Sequence, residues 1–288
     1  MDGKSSVLNR LFTQNSFKEI LESYQYENKI KMLYAAVKRC LVDTESKSNG
    51  EVISEIYRYI GDNYRNEYFY KNTLLNKLLL GVHKPTTTTA LTEIPIGNSK
   101  ADFVMINGKA VVYEIKTALD SFERLGTQLK DYYRAFDNVV VLTDEKNCKL
   151  AMKLLRDTPV GVYLLTKRDQ IHKEKLPVSY TGSLNSLDIF KVLNKNEYES
   201  VIMQVYGELP KTTDAKYYRE CFKLFDEIDL NESYNLFKKE LKKRNKIIIE
   251  EYADVPYELK SLVYFSNYGR CNYNELTAFL KADYIGGE

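Results

Sequence analysis

The segment Phe103–Ile115 constrains this chain more than any other. Two short runs that are apolar on both faces of an extended strand flank the turn residues Asn107-Gly108-Lys109. With side chains alternating at period two, Val104, Ile106, Ala110 and Val112 fall on one face and Phe103, Met105, Val111, Tyr113 and Ile115 on the other. A hairpin of this kind cannot lie on a surface and belongs in the middle of a sheet covered by helices on both sides. The charges Asp102, Glu114 and Lys116 at its ends are therefore costly unless they are paired.

Glu114 and Lys116 project from one face, with Ile115 pointing into the opposite layer. The position of Asp102 depends on the turn. A two-residue Asn107-Gly108 loop pairs Ile106 with Lys109 and sends Asp102 to the other face, whereas a three-residue loop sets it across from Glu114. A shared site for the three charges needs the longer loop or a bulge near Asp102.

Around this hairpin the periodicity is mixed. Phe17, Ile20, Leu21 and Tyr24, then Ile30, Leu33, Tyr34 and Val37, then Ile53, Ile56, Tyr57 and Ile60 recur at helical spacing. Gly81, Pro85 and four threonines end that pattern. Strands are expected over Thr89–Ile96, Ala101–Ile106, Ala110–Lys116, Val139–Thr143 and Gly161–Leu165, with helices over Ser121–Phe136 and Lys146–Leu155. Helical patterns return around Phe190–Tyr206, Tyr217–Phe225, Tyr234–Tyr252 and Tyr257–Phe265. The expected fold class is α/β, a mixed sheet flanked by helices with helical N- and C-terminal extensions. Three regions follow: a helical N-terminal region 1–62, a core 63–167 and a mainly helical region 168–288.

Composition narrows the function classes. Forty-two basic against 40 acidic residues leave a formal charge of +2, so any nucleic-acid contact must come from a local patch. Cys40, Cys148, Cys221 and Cys271 stand singly with only two histidines, which argues against structural zinc and for free thiols in a reducing, cytoplasmic setting. The first 15 residues lack an apolar signal core, and no stretch approaches a membrane span, so a chain that is neither exported by a cleaved signal nor membrane-bound is expected. No glycine-rich strand-to-helix turn supports a nucleotide-binding domain.

Granting the longer loop, Asp102 and Glu114 stand about one strand spacing apart and make a hard, oxygen-rich site suited to Mg²⁺ or Mn²⁺. Lys116 adds a point charge toward an attacking water or a phosphate oxygen. On the next helix Arg124, Gln128 and Tyr132 recur at four-residue spacing and form one polar stripe, with Gln128 able to orient Lys116 and Arg124 able to bind phosphate bidentately. The bland reading of the charged trio is an ion pair at a sheet edge, and Asp120 fits a helix N-cap. The run Lys238–Lys246, which includes Lys242, Lys243 and Arg244, either tracks a phosphate backbone or is a solvated helix face. His83 lies in a turn, where a lone histidine is usually solvated.

With Asp102 followed by Glu114-Ile115-Lys116, the sequence resembles the PD-(D/E)XK nuclease superfamily, and Gln128-Leu-Lys-Asp-Tyr132 is similar to the Gln-x3-Tyr motif of its RecB-like branch. The motif's proline is absent, Lys100-Ala101 preceding Asp102. The resemblance implies a restriction-endonuclease-like core of order αβββαβ and a Mg²⁺- or Mn²⁺-dependent nuclease acting on nucleic acid, expected to be DNA. It implies catalytic roles for Asp102, Glu114, Lys116 and Gln128. The metal would be held by Asp102, Glu114, the Ile115 main-chain carbonyl and a further acid, for which Glu67 and Glu93 compete. Nucleic-acid contacts are expected at Arg124, Tyr132, Lys242, Lys243 and Arg244, the alternatives being an ordinary polar helix face for Arg124 and Gln128 and packing on the helix face for Tyr132. The alternative is a nuclease-fold module without useful turnover that binds nucleic acid or a protein partner, such as a phage or host-defence regulator. Oligomeric state stays open, a homodimer included.

Overall fold

The computed structural model describes residues 10–24, 37–38, 46–81, 86–244, 247, 249–266 and 270–284. The helical pattern at Ile30–Tyr34, Cys40 and His83 lie outside the described residues. In chain order the elements are α1 (Gln14–Tyr24), α2 (Asn49–Asn63), α3 (Glu67–Leu74, continued by a π-helical segment Leu75–Leu80), β1 (Thr89–Ile96), β2 (Ser99–Asn107), β3 (Lys109–Lys116), α4 (Leu125–Tyr132) and β4 (Asn138–Thr143). There follow α5 (Glu145–Leu154), β5 (Gly161–Leu165), β6 (Ile171–Lys175), α6 (Ser186–Val192), α7 (Lys195–Tyr206), α8 (Asp214–Asp226), α9 (Leu230–Lys242), α10 (Ile249–Ala253), α11 (Lys260–Phe265) and α12 (Arg270–Lys281). None of the described helices is long and apolar enough to cross a membrane.

The chain forms two compact units, one from residues 1–78 with 246–288 and one from 79–245. In the first, both chain ends build one helical body. Ser48 starts α2 with a capping box closed by Glu51, and Val52, Ile53, Ile56 and Ile60 bury one stripe of that helix. Side-chain amides tie the early helices to the late ones: Asn49 Nδ2 donates to the Phe279 carbonyl at 3.0 Å and Gln14 Nε2 to that of Leu262 at 2.7 Å. Asn72 donates to the Tyr257 carbonyl at 3.0 Å and accepts from the Ser261 amide at 2.9 Å. Buried amides of this kind fix position because leaving one unsatisfied is expensive.

The second unit is α/β, a six-stranded mixed sheet in the order β1-β2-β3-β4-β5-β6. The first three strands form an antiparallel meander, β3, β4 and β5 run parallel through the crossovers α4 and α5, and β5 returns into β6 antiparallel. Every residue of β4, Asn138–Thr143, is buried, as expected for a central parallel strand. Val104, Val112, Val139 and Val141 lie at 0 % exposure in one core with Leu129 of α4, Phe190 of α6, Val201 of α7, Phe225 of α8 and Phe237 of α9. Each such side chain removed from water contributes about 1.5–3 kcal/mol. The opposite sheet face buries Phe103, Tyr113 and Tyr163, whose rings meet edge-on in succession.

The boundaries expected from sequence shift accordingly. Helices α6 to α9 complete the core over the sheet, so the β-containing unit runs to residue 245, and only the segment beyond it joins the N-terminal helices. The helical pattern at Phe190–Tyr206 is two helices, because Asn194 restarts the chain with a capping box, its amide donating to Glu197 Oε2 at 2.7 Å. Strand β6 gave no apolar alternation: His172, Lys173 and Glu174 are exposed, the charged composition that keeps an edge strand from pairing further.

Candidate active site

The position of Asp102 is decided at the hairpin tip. Pairs run from Phe103↔Tyr113 to Asn107↔Lys109 around Gly108, whose φ of +71° suits a residue without Cβ. This is the register of the longer loop. One step beyond its last pair, Asp102 comes opposite Glu114, and its Oδ2 accepts the Ile115 amide at 2.7 Å. The acid is thereby fastened between Glu114 and Lys116. Extended residues direct N–H and C=O to the same side, so the Ile115 carbonyl also faces the β2 edge.

Strand β1 is bent to the same place. Glu93 has φ +58° between the pairs Thr92↔Phe103 and Ile94↔Ala101, which sets it across from Asp102. A left-handed backbone at a non-glycine residue costs about 1–2 kcal/mol. It also switches the alternation of β1, so Leu91 and Ile94 both reach the same core although period two would separate them. Carboxylate oxygens of Glu93 and Asp102 approach within 4.8 Å, Glu93 pairs with Lys100 at 3.2 Å, and Thr92 Oγ1 donates to the Asp102 carbonyl at 2.8 Å. Strain held at a cluster of charges is characteristic of functional positions.

Glu114 and Lys116 sit at 1 % and 7 % exposure. Glu114 Oε1 takes the Lys116 ammonium at 2.9 Å and the Gln128 amide at 2.6 Å, while Gln128 Oε1 accepts from Lys116 at 3.0 Å. The three side chains close a triangle. Glu114 Oε2 faces the Tyr132 hydroxyl at 2.5 Å, and the Lys100 carbonyl lies 3.0 Å from the same hydroxyl. Burial, then the adjacent Glu114 charge, pushes the Tyr132 phenol well above its ordinary range, so it remains a donor. Two of the three Lys116 protons are engaged in this triangle, which leaves the third outside it.

The strand end is braced from below. Asp120 accepts the Thr117 amide and hydroxyl, each at 2.7 Å, and so locks the turn after Lys116 instead of capping a helix at Ser121. That helix, α4, starts only at Leu125, with Arg124 at its cap position and no side-chain cap bond. Asp131 of α4 accepts Ser99 Oγ at 2.6 Å and the Asn98 amide at 3.2 Å, pinning the β1–β2 turn. An added Cβ at Gly97 in that turn would lie 2.8 Å from Asp131 Oδ1. Sequence reasoning missed Asp131: it lies three residues after Gln128 on the same helix, but its partner turn could be identified only once the strands were paired.

The other expected site residues, Tyr132 apart, lie outside this network of hydrogen bonds. Arg124 is exposed and makes no ion pair among the described residues. Glu67 opens α3 in the helical unit, where it pairs with Lys71 at 2.6 Å. Tyr132 takes the packed position on its helix and not the nucleic-acid contact: at 0 % exposure it cannot stack on a base, and it donates a hydrogen bond to Glu114. Arg244 changes role. Its guanidinium grips Glu197 through two 2.6 Å bonds and the Val192 carbonyl at 2.8 Å, clamping the end of α9 to α6 and α7. Lys243 pairs with Glu240 at 2.6 Å, and Lys242 is exposed.

Comparison with curated proteins and with solved structures gives no match. The family model described as bacteriophage P4 protein cII matches residues 60–255, a span that includes all of β1 to β6 and every residue of the Glu114–Lys116–Gln128–Tyr132 network. The chain belongs to the bacteriophage P4 protein cII family.

Proposed function

We propose that this protein is a metal-dependent nuclease of the PD-(D/E)XK type, with a restriction-endonuclease-like core, that hydrolyses phosphodiester bonds in DNA. The observation that carries the reading is the Asp102 carboxylate on the Ile115 amide, because it brings the acid of one strand to the Glu-x-Lys of the next at a buried strand end. A purely structural ion pair would need only Glu114 and Lys116. It would give no reason for a second and a third acid, Asp102 and Glu93, to be gathered at the same end with backbone strain at one of them.

The donor set fits a hard divalent cation. Asp102 and Glu93 offer carboxylate oxygens within 4.8 Å of each other, Glu114 Oε2 retains acceptor capacity beside Tyr132, and the Ile115 carbonyl shares the edge that Asp102 occupies. Bound there, Mg²⁺ or Mn²⁺ would supply positive charge against the negative charge that develops on a phosphate under attack.

The chain's own groups do the rest. Lys116 directs its third proton at a non-bridging phosphate oxygen or at the attacking water, holding either close to the acids. Gln128 is a positioning residue: by accepting from Lys116 and donating to Glu114 it fixes both heads at once. Tyr132 holds the other Glu114 oxygen, and the low exposure of the pair excludes water that would weaken each charge.

The test is cleavage of plasmid and oligonucleotide DNA in Mg²⁺ or Mn²⁺ by wild type, Asp102→Ala and Lys116→Ala, with folding checked by circular dichroism. Each variant is expected to lose at least about 100-fold in rate. Equal cleavage by wild type and variants, or no cleavage of DNA or RNA by folded wild type, refutes the proposal and favours a binding module on the same fold.

A further inference from the structure

We propose that the groove between α5 and β6 is the track on which the phosphate backbone of a nucleic acid lies as it reaches the candidate active site. The inference rests on the nuclease reading for what happens at the end of the track, and not for the binding itself.

Helix α5 carries Lys146, Lys149 and Lys153 at spacings of three and four, which at 100° per residue confines them to an arc of about 60°. Arg156 follows three residues later, just past the helix end. All four are exposed, and among the described residues none makes an ion pair. Lys195, Lys223 and Lys243 by contrast each find a glutamate one turn away. Unpaired cations along one helix face repel each other, and an arriving polyanion relieves that repulsion.

The stripe borders a concavity of about 450 Å³ lined by Cys148, Lys149, Met152, Lys153, Arg156 and the β6 residues Glu174 and Lys175. Met152 and Cys148 line it beside Lys149, Lys153 and Arg156, which outnumber the one carboxylate, Glu174, so a sugar-phosphate chain can lay sugars on Met152 while the cationic groups reach phosphates. Lys175 is not part of the reading head. Its ammonium lies 3.2 Å from the Arg156 carbonyl and 2.6 Å from that of Thr158, which closes the C-terminal end of the helix.

The direction of the stripe ties it to the candidate site. Lys146 Nζ donates to the Ala118 carbonyl at 3.3 Å and Asn147 Nδ2 to that of Thr117 at 2.9 Å, so α5 begins against the two residues that follow Lys116. From there the cations continue for about 15 Å along the helix. Successive charges about 4.5–6 Å apart, on long flexible side chains, can each reach a separate phosphate of a strand that carries one charge per about 3.4 Å of its axis.

The test is binding in EDTA, where no turnover intervenes. Fluorescence polarisation with labelled duplex and single-stranded DNA is followed through a salt titration for wild type, for K149A/K153A/R156A, and for the control K109A/K191A/K216A, which removes the same charge elsewhere. The groove variant is expected to lose about tenfold or more in affinity and to flatten the dependence of log K on log salt by about 2 to 3 for duplex, with the control close to wild type. Equal losses in both triple variants, an unchanged groove variant, absence of binding by wild type, or displacement of DNA by polyglutamate as efficiently as by unlabelled DNA each overturns it. Parallel cleavage assays separate the two readings. A groove variant that loses binding, in a protein that never cuts, leaves the track standing without the nuclease. An unaffected groove variant beside an inactive Asp102→Ala does the reverse.

Discussion

Tyr132 and Tyr133 are adjacent, both buried, and differ in one respect that a single atom can report. The Tyr132 hydroxyl serves Glu114 at 2.5 Å and faces the Lys100 carbonyl at 3.0 Å, whereas the Tyr133 hydroxyl has no hydrogen-bond partner among the described residues. Tyr132→Phe keeps the ring, so its apolar burial is unchanged, and removes the donor to a carboxylate at 1 % exposure. A hydrogen bond to a charged group contributes about 1.5–3 kcal/mol, and leaving the acceptor unsatisfied sets the loss toward the upper end. For a unit of this size, that lowers Tm by roughly 5–10 °C. Tyr133→Phe deletes an unsatisfied hydroxyl and is expected to change stability by less than about 0.5 kcal/mol or to raise it slightly. Urea denaturation of the two variants measures the difference, with an unchanged m value confirming that both lose the same structure. Equal ΔΔG values for the two would refute the claim that Tyr132 holds Glu114.

Other outcomes follow from the same geometry. Asp102→Asn keeps the shape but replaces an anionic acceptor with a neutral one at the Ile115 amide, so DNA cleavage falls at least about 100-fold while stability drops by no more than about 2 kcal/mol; comparable losses in both would make Asp102 structural. Arg244→Ala strands Glu197, which is 13 % exposed at its side chain, and removes a bond to Val192; a loss of about 2–3 kcal/mol by urea denaturation with unchanged DNA affinity is expected, and weakened affinity at full stability would restore Arg244 as a nucleic-acid contact. Burial raises the phenols of Tyr113, Tyr132, Tyr133 and Tyr234 above their ordinary value near 10. Protonated in both states below pH 10, they cost nothing there. Above it the unfolded phenols ionise first, so stability falls by about 5 kcal/mol per pH unit for the four together, and phenolate absorbance should rise in one step with loss of circular dichroism; four phenols titrating near pH 10 in folded protein would contradict their burial.

The central hairpin and β4 were legible because β-branched runs apolar on both faces admit little else, and the motif trio was legible because its charges sit where packing forbids them. The turn could be narrowed to two registers but not decided, since both place Gly108 favourably. Other features depend on pairing across the chain. Nothing in a row of exposed charges such as Ile171–Lys175 marks a strand until β5 lies beside it. The left-handed bend at Glu93 has no compositional signature, because glutamate is an unfavourable choice there and is held by its surroundings. Arg244 read as part of a basic run, and its capture by Glu197 depends on a helix break at Asn194 that periodicity alone smoothed over.

The division of the chain also sets an order of events at the ribosome. Residues 79–245 are one uninterrupted segment and can fold as they emerge, while the helical unit needs residues from both ends: Tyr284 donates its amide to the Lys47 carbonyl at 2.7 Å. At about 5–20 residues per second the early helices wait roughly 10–30 s for the strands of sequence that complete them. Throughout that interval α2, with its apolar stripe Val52, Ile53, Ile56 and Ile60, lacks the contact with α12. The nascent chain therefore presents a greasy helix to chaperones or to neighbouring polysomes, and slowing translation late in the message should aggravate aggregation more than slowing it early.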